Sequence, residues 1–185
     1  MCGILGWLGN YPIDGPERFK TALNLLAHRG PDDSGIYESK KVLLGHRRLS
    51  IVDLSSMGHQ PMTEPASGAK IVFNGEIYNH VELRVELEAL GHRFIGQSDT
   101  EVLLHSLIEW GELALPRLNG MWAFAFWSPS TKKWLLARDR FGVKPLFYRN
   151  DKSGFAFASE PKALLSLFPE HRTIEETSLI DFLAN

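Results

Sequence analysis

The chain carries one cysteine, and it stands at position 2. A small second residue generally permits removal of the initiator methionine. Loss of Met1 would leave Cys2 with a free α-amine beside its thiol, a nucleophile next to its own base. A free thiol has a pKa of about 8.5, so about a few per cent is thiolate at neutral pH. An α-amine titrates at about 7.7–8.0 and can accept the thiol proton. A chain that keeps Met1 has this amine locked in a peptide bond, and it is expected to be inactive or nearly so. Against this stands the plainer role of a lone cysteine as a small buried hydrophobe. Residue chemistry alone leaves the plainer role slightly ahead.

Other polar groups cluster where elements should end. Taken singly, each has an ordinary explanation. Arg29-Gly-Pro-Asp-Asp-Ser-Gly35 reads as a tight turn, and His46-Arg47-Arg48-Leu49 as a strand end with solvated arginines. Asn74-Gly75 is the strongest short hairpin signal, so a turn is expected there. Asp99 reads as a favourable charge in the first turn of a helix. Arg138-Asp139-Arg140 reads as a surface salt-bridge cluster. Taken together they place several polar groups at element ends in a chain with a terminal nucleophile. The seven histidines show no metal-ligand spacing, so no metal site is expected. Phosphate-binding glycine loops and a G-x-S-x-G elbow are also missing, so no nucleotide site is visible.

The elements that must hold these groups can be read from periodicity. Gly15 to His28 reads as a helix, with Pro16 in its first turn and Phe19, Ala22, Leu23 and Leu26 on one face. Asn79 with Glu82, and Ser98 with Glu101, look like capping boxes opening two further helices. Gly91 and Gly111 would stop them. Strands are expected at Gly35 to Glu38, Val42 to His46, Ile71 to Phe73, Trp134 to Ala137, Leu146 to Tyr148 and Phe155 to Ala158. Met121 to Trp127 is apolar on both alternating faces, so it should be a strand covered on both sides. Ser159 to Leu167 reads as a helix with Pro161 in its first turn. Stacked sheets with helices outside follow, an α+β layered domain.

With 185 residues, 44% hydrophobic and 23% charged, the chain suits one soluble domain. A net charge of -2 without basic runs argues against nucleic-acid binding. No apolar run reaches membrane-spanning length, and the start lacks the basic region of a signal peptide. One cysteine excludes an internal disulfide, and a cytoplasmic protein is expected. Thr177 to Leu183 reads as the start of an amphipathic helix with little to cap it before Asn185. The chain is therefore expected to be a piece of a longer protein.

The motifs as a set resemble those of the class II glutamine amidotransferases, whose glutaminase domains are N-terminal-nucleophile hydrolases. The matching segments are Met1-Cys-Gly-Ile, His28-Arg-Gly-Pro-Asp-Asp-Ser-Gly35, Gly45-His-Arg-Arg-Leu-Ser-Ile-Val-Asp53 and His59-Gln-Pro61. Phe73-Asn-Gly-Glu-Ile-Tyr-Asn79, Ser98-Asp-Thr-Glu101, Asn119-Gly120 and Arg138-Asp-Arg-Phe-Gly-Val-Lys-Pro-Leu146 complete the set. Pro31 and the segment from Asn74 to Asn79 look like the glutamine-hydrolysing asparagine synthetase branch.

The resemblance implies a four-layer αββα sandwich of two mainly antiparallel sheets. It implies a glutaminase domain over residues 2–168, with residues 169–185 leading towards a synthetase domain. It also implies that Cys2 attacks the glutamine side-chain amide, leaving a γ-glutamyl thioester that water hydrolyses. Asn74 and the Gly75 N–H would hold the oxyanion. Arg48 would bind the α-carboxylate, and Asp99 with Glu76 the α-ammonium. Backbone groups at Leu49, Ile51 and Val52 would line the pocket. No cofactor is expected in this domain, and ATP and Mg belong to the synthetase domain that receives the ammonia. A homo-oligomer of the full-length protein is compatible with the resemblance. The competing readings are amidation of another carboxylate such as a sugar acid, a non-catalytic glutamine-binding module, and hydrolysis of other amides. The matched pair of Arg48 and Asp99 for a free amino acid speaks against peptide substrates.

Overall fold

A computed structural model describes residues 1–11, 14–51, 53–152, 154–169 and 176–184. Its strands are β1 (Gly3–Gly9), β2 (Asp33–Ser39), β3 (Val42–Arg48), β4 (Met62–Thr63), β5 (Lys70–Ile77), β6 (Gly120–Ser128), β7 (Lys133–Arg138), β8 (Phe147–Asp151) and β9 (Gly154–Ala158). Its helices are α1 (Gly15–Asn24), α2 (His80–Ala89), α3 (Asp99–Trp110), α4 (Pro161–Leu167) and α5 (Glu176–Ala184). One sheet has the order β2-β3-β1-β9-β8 and the other β4-β5-β6-β7. The strand pairs in both are antiparallel.

Period-2 alternation builds the layers. Leu5, Trp7 and Leu43 face outward and pack with Phe19, Leu23 and Leu167 of α1 and α4. Ile71, Phe73, Trp122, Phe124 and Phe126 face outward from the other sheet, onto Leu83, Leu87 and Leu103 of α2 and α3. Ile4, Leu44 and Phe157 meet Val72, Ala123 and Ala125 between the sheets. The result is the expected αββα sandwich. The segment Met121 to Trp127 is indeed covered on both faces. The alanines at 123 and 125 keep the second sheet's inner face shallow enough for the large side chains of the first.

Local expectations failed at three places. The first helix ends at Asn24, and a 3₁₀ turn at Ala27–Arg29 follows. The chain tightens there so that Leu26 is fully buried in the outer core. Asn79 does not cap α2 with its side chain. Its amide instead donates to the Arg117 carbonyl at 2.9 Å and accepts the Asn119 N–H at 2.9 Å, tying α2 to the start of β6. Asn74-Gly75 is not a turn at all. It lies within β5, opposite Ala123 and Trp122. Ser98 does cap α3, accepting the Glu101 N–H at 3.2 Å. In α5, Leu179, Ile180, Phe182 and Leu183 are exposed.

Candidate active site

The same alternation that fills the core aims the polar residues. On β3, Val42, Leu44 and His46 face the other sheet, and Arg48 continues that row. On β1, Ile4 faces inward, and Cys2 lies two residues before it. On β5, Val72 faces inward, and Asn74 and Glu76 continue. One end of the inter-sheet space therefore collects Cys2, Arg48, Asn74 and Glu76. The structure brings these together with Leu49, Ile51, Gly75 and Asp99 around one cleft of about 90 Å³. Val52, named with them from the sequence, lies outside the described residues. Clefts of about 470 and 320 Å³ occur elsewhere, but chemistry rather than size singles out this one.

Cys2 is half-buried, and its sulfur accepts the Leu49 N–H at 3.4 Å. Burial pushes the thiol above its usual pKa. The Leu49 N–H, the chain's terminal ammonium and Arg48 pull it down, and Asp99 adds to the rise. The balance favours the neutral thiol. Its backbone is braced: the Cys2 carbonyl accepts from Arg29 Nε at 2.9 Å, and Arg29 pairs with Glu160 at 2.9 Å. Burial would raise the Glu160 carboxyl, but bonds from Arg29, Lys162 and His28 hold it at about 2. Met1 also lines the cleft.

Asn74 is 1% exposed, and its amide nitrogen has no partner among the described residues. A buried unsatisfied donor costs about 1–3 kcal/mol and is rare in native proteins. Here it lines the same cleft as Cys2. Gly75 is needed for packing as well. A Cβ there would lie 2.4 Å from the Met121 carbonyl oxygen and 2.7 Å from Trp122 Cα.

Arg48 is buried, not solvated. Nη1 donates to the Ser55 carbonyl at 2.7 Å and Nη2 to that of Asp53. Asp99 is 4% exposed, and its carboxylate accepts the Ile77 N–H at 3.0 Å. Burial raises its pKa first of all; the N–H groups of Ile77 and Thr100 and the nearby His80 oppose the rise, and Glu76 adds to it. Among the described residues no lysine or arginine pairs with it. A ligand ammonium would relieve that burial.

Two residues of this region had no role from sequence. Asp139 is not a surface ion-pair partner. Its carboxylate accepts four backbone N–H groups, from Trp122, Phe141, Val143 and Lys144. Burial alone would raise its pKa; these bonds hold it below the usual range. The turn so organised carries Lys144, 6% exposed, into the cleft lining. Its apolar neighbours Phe141 and Val143 gave no hint of this.

A family model described as a glutamine amidotransferase domain matches residues 1–185. The chain belongs to that family. The amidotransferase domain is 46% identical over 170 residues to asparagine synthetase [glutamine-hydrolyzing] 3 of Bacillus subtilis, spanning 90% of this chain and 28% of that protein. It is 42% identical over 182 residues to asparagine synthetase B [glutamine-hydrolyzing] of Escherichia coli, spanning 95% of this chain and 31% of the relative. The chain thus spans under a third of the length of these relatives. In fold it is similar to a glutamine phosphoribosylpyrophosphate amidotransferase from B. subtilis, with a TM-score of 0.74 and 24% identity over 90% of this chain and 43% of the other. Among the described residues no helix is long and apolar enough to cross a membrane, and no cluster of metal-binding side chains occurs.

Proposed function

We propose that this amidotransferase domain hydrolyses L-glutamine to L-glutamate and ammonia, with Cys2 as nucleophile after removal of Met1. The observation that carries the reading is the unpartnered, buried Asn74 amide lining the cleft that holds the sole cysteine. In this reading the Cys2 α-amine takes the thiol proton, and sulfur bonds to the glutamine side-chain carbonyl carbon. The oxyanion is held by Asn74 and the Gly75 N–H. The tetrahedral intermediate expels ammonia, which leaves with the transferred proton, and a γ-glutamyl thioester remains. Water adds to the thioester, the sulfur leaves, and glutamate is released. Losing one oxyanion donor of this kind typically costs roughly 10²–10³ in rate. Arg48 holds the α-carboxylate, and Asp99 with Glu76 the α-ammonium.

The likeness to glutamine-hydrolysing asparagine synthetases supports a further step: the ammonia passes to a synthetase domain that uses ATP and Mg²⁺ to activate aspartate in the cytoplasm. Residues 2–168 form the glutaminase in this reading, and residues 169–185 lead towards that partner.

Intact mass before and after exposure to an electrophilic glutamine analogue tests the proposal. A chain lacking Met1 that gains a single adduct, mapped to Cys2, is the expected result. Cys2→Ala should take no adduct and show no glutaminase activity. A Met-free chain that takes no adduct would overturn the reading.

A further inference from the structure

The two oxyanion donors sit on β5, one edge of which pairs along most of its length with no strand among the described residues. β4 pairs with β5 only at Met62–Ile71 and Thr63–Lys70. Within β5, N–H groups alternate between its two edges. Tyr78, just beyond β5, donates its N–H to the Asn119 carbonyl at 2.7 Å, on the β6 side. The N–H groups of Phe73, Gly75 and Ile77 therefore face the other edge, which borders the cleft. That of Ile77 goes to Asp99 at 3.0 Å. That of Phe73 goes to the Gln60 side-chain oxygen at 2.7 Å. The Phe73 carbonyl, on the same edge, accepts from His46 Nε2 at 3.0 Å. Gly75 lies between these two held residues.

We infer that Gln60 is a positioning residue for glutamine hydrolysis, acting through β5 to aim the Asn74 amide and the Gly75 N–H at the reacting carbonyl. Gln60 is 4% exposed. Its second function is to join two halves of the site. Its Nε2 donates to Thr100 Oγ1 at 3.2 Å, on the residue following Asp99. One amide thus couples the strand that carries the oxyanion donors to the helix start that carries the ammonium-binding carboxylate. His46 grips the same peptide from the opposite sheet. A missing grip leaves Phe73 N–H unpaired and lets the strand edge shift. A misplacement of about 1 Å costs roughly 10²-fold in rate.

This inference rests on the glutaminase reading, and the experiment separates the two. Gln60→Leu keeps the size and removes both bonds. Active sites are counted by the electrophilic glutamine analogue, so that kcat is expressed per folded site. Affinity is measured for L-glutamate, a ground-state ligand, and for the γ-aldehyde analogue of glutamine. That aldehyde forms a tetrahedral thiohemiacetal with the cysteine and draws on the oxyanion donors. The expected result is a kcat per site about tenfold to a hundredfold lower, a matching loss of aldehyde affinity, and KM and glutamate affinity within about threefold. A purely structural role would lower the number of titrated sites and leave aldehyde affinity per site unchanged, which overturns the inference. If Gln60→Leu does not fold, Thr100→Val releases the Gln60 amide alone, with the same pattern at about threefold. Parent-like kcat and aldehyde affinity in Thr100→Val would then overturn it. A Met-free parent chain that neither turns over glutamine nor binds the aldehyde overturns the glutaminase reading itself, and this inference with it.

Discussion

Two of the five N–H donors of Arg48 go to the carbonyls of Asp53 and Ser55, which leaves the rest of its planar fork for a carboxylate in the cleft. The bonds to the loop fix the fork before a ligand arrives. Gly58 shows how closely that loop wraps the guanidinium, since a Cβ there would lie 2.0 Å from Nη2. In the proposed role, the side chain binds the α-carboxylate, which is remote from the reacting amide, so its removal takes away interactions made equally in the ground and transition states. Arg48→Ala is therefore expected to raise KM for glutamine about tenfold to a hundredfold while kcat falls much less. Steady-state kinetics check this, and an unchanged KM would remove Arg48 from the binding role. The arginine's charge was plain in the sequence, but its burial was not. His46-Arg47-Arg48 reads equally well as a solvated strand end, and only the stacking of the second sheet on the face of β3 that carries Val42 and Leu44 turns Arg48 inward.

At the scale of elements, β5 is the part that local chemistry described worst. Asn-Gly favours a two-residue turn because both residues tolerate positive φ. The ladder with β6 overrides that preference, pairing Asn74 with Ala123 and Gly75 with Trp122. The glycine remains necessary, for contact rather than for φ. Gly75→Ala forces a methyl group against the Met121 carbonyl and the Trp122 backbone. It is expected to cost about 1–3 kcal/mol in urea unfolding and to lower kcat as β5 moves away from β6. A variant with parent stability and parent kcat would show that the ladder can yield there at no cost. By contrast the helices were legible. Ser98 caps α3, Gly111 ends it at a φ of 55°, and the apolar face between them meets the sheet. These features are set within a few residues of chain. The Asn79 cap failed because a long-range partner, the 117–119 segment, took the side chain instead.

Across the whole molecule the two sheets share a buried polar tie, His46 to the Phe73 carbonyl. Burial pushes His46 down to about 4, against the opposing pull of that bond. Between about pH 6.5 and 4 the unfolded chain binds a proton at this residue and the folded chain does not. Its contribution to stability is full above that window and is lost as pH falls through it, by about 3 kcal/mol in all. Urea midpoints measured from pH 7 to 4 should fall more steeply for the parent than for His46→Gln, and parallel curves would exclude this role. The sequence alone determined most of the elements and the α+β class, which follow from local periodicity and breakers. Its candidate site residues came from the resemblance of the motifs to one family, since each residue by itself had an ordinary explanation. The resemblance implied one site for Cys2, Arg48, Asn74 and Asp99, but the contacts that bring them together, and the grip of Gln60 and His46 on one peptide, were not legible. Those contacts join residues up to about a hundred positions apart. They exist because two twisted sheets stack in one register, and packing of side chains from both sheets, not any local signal, chooses that register.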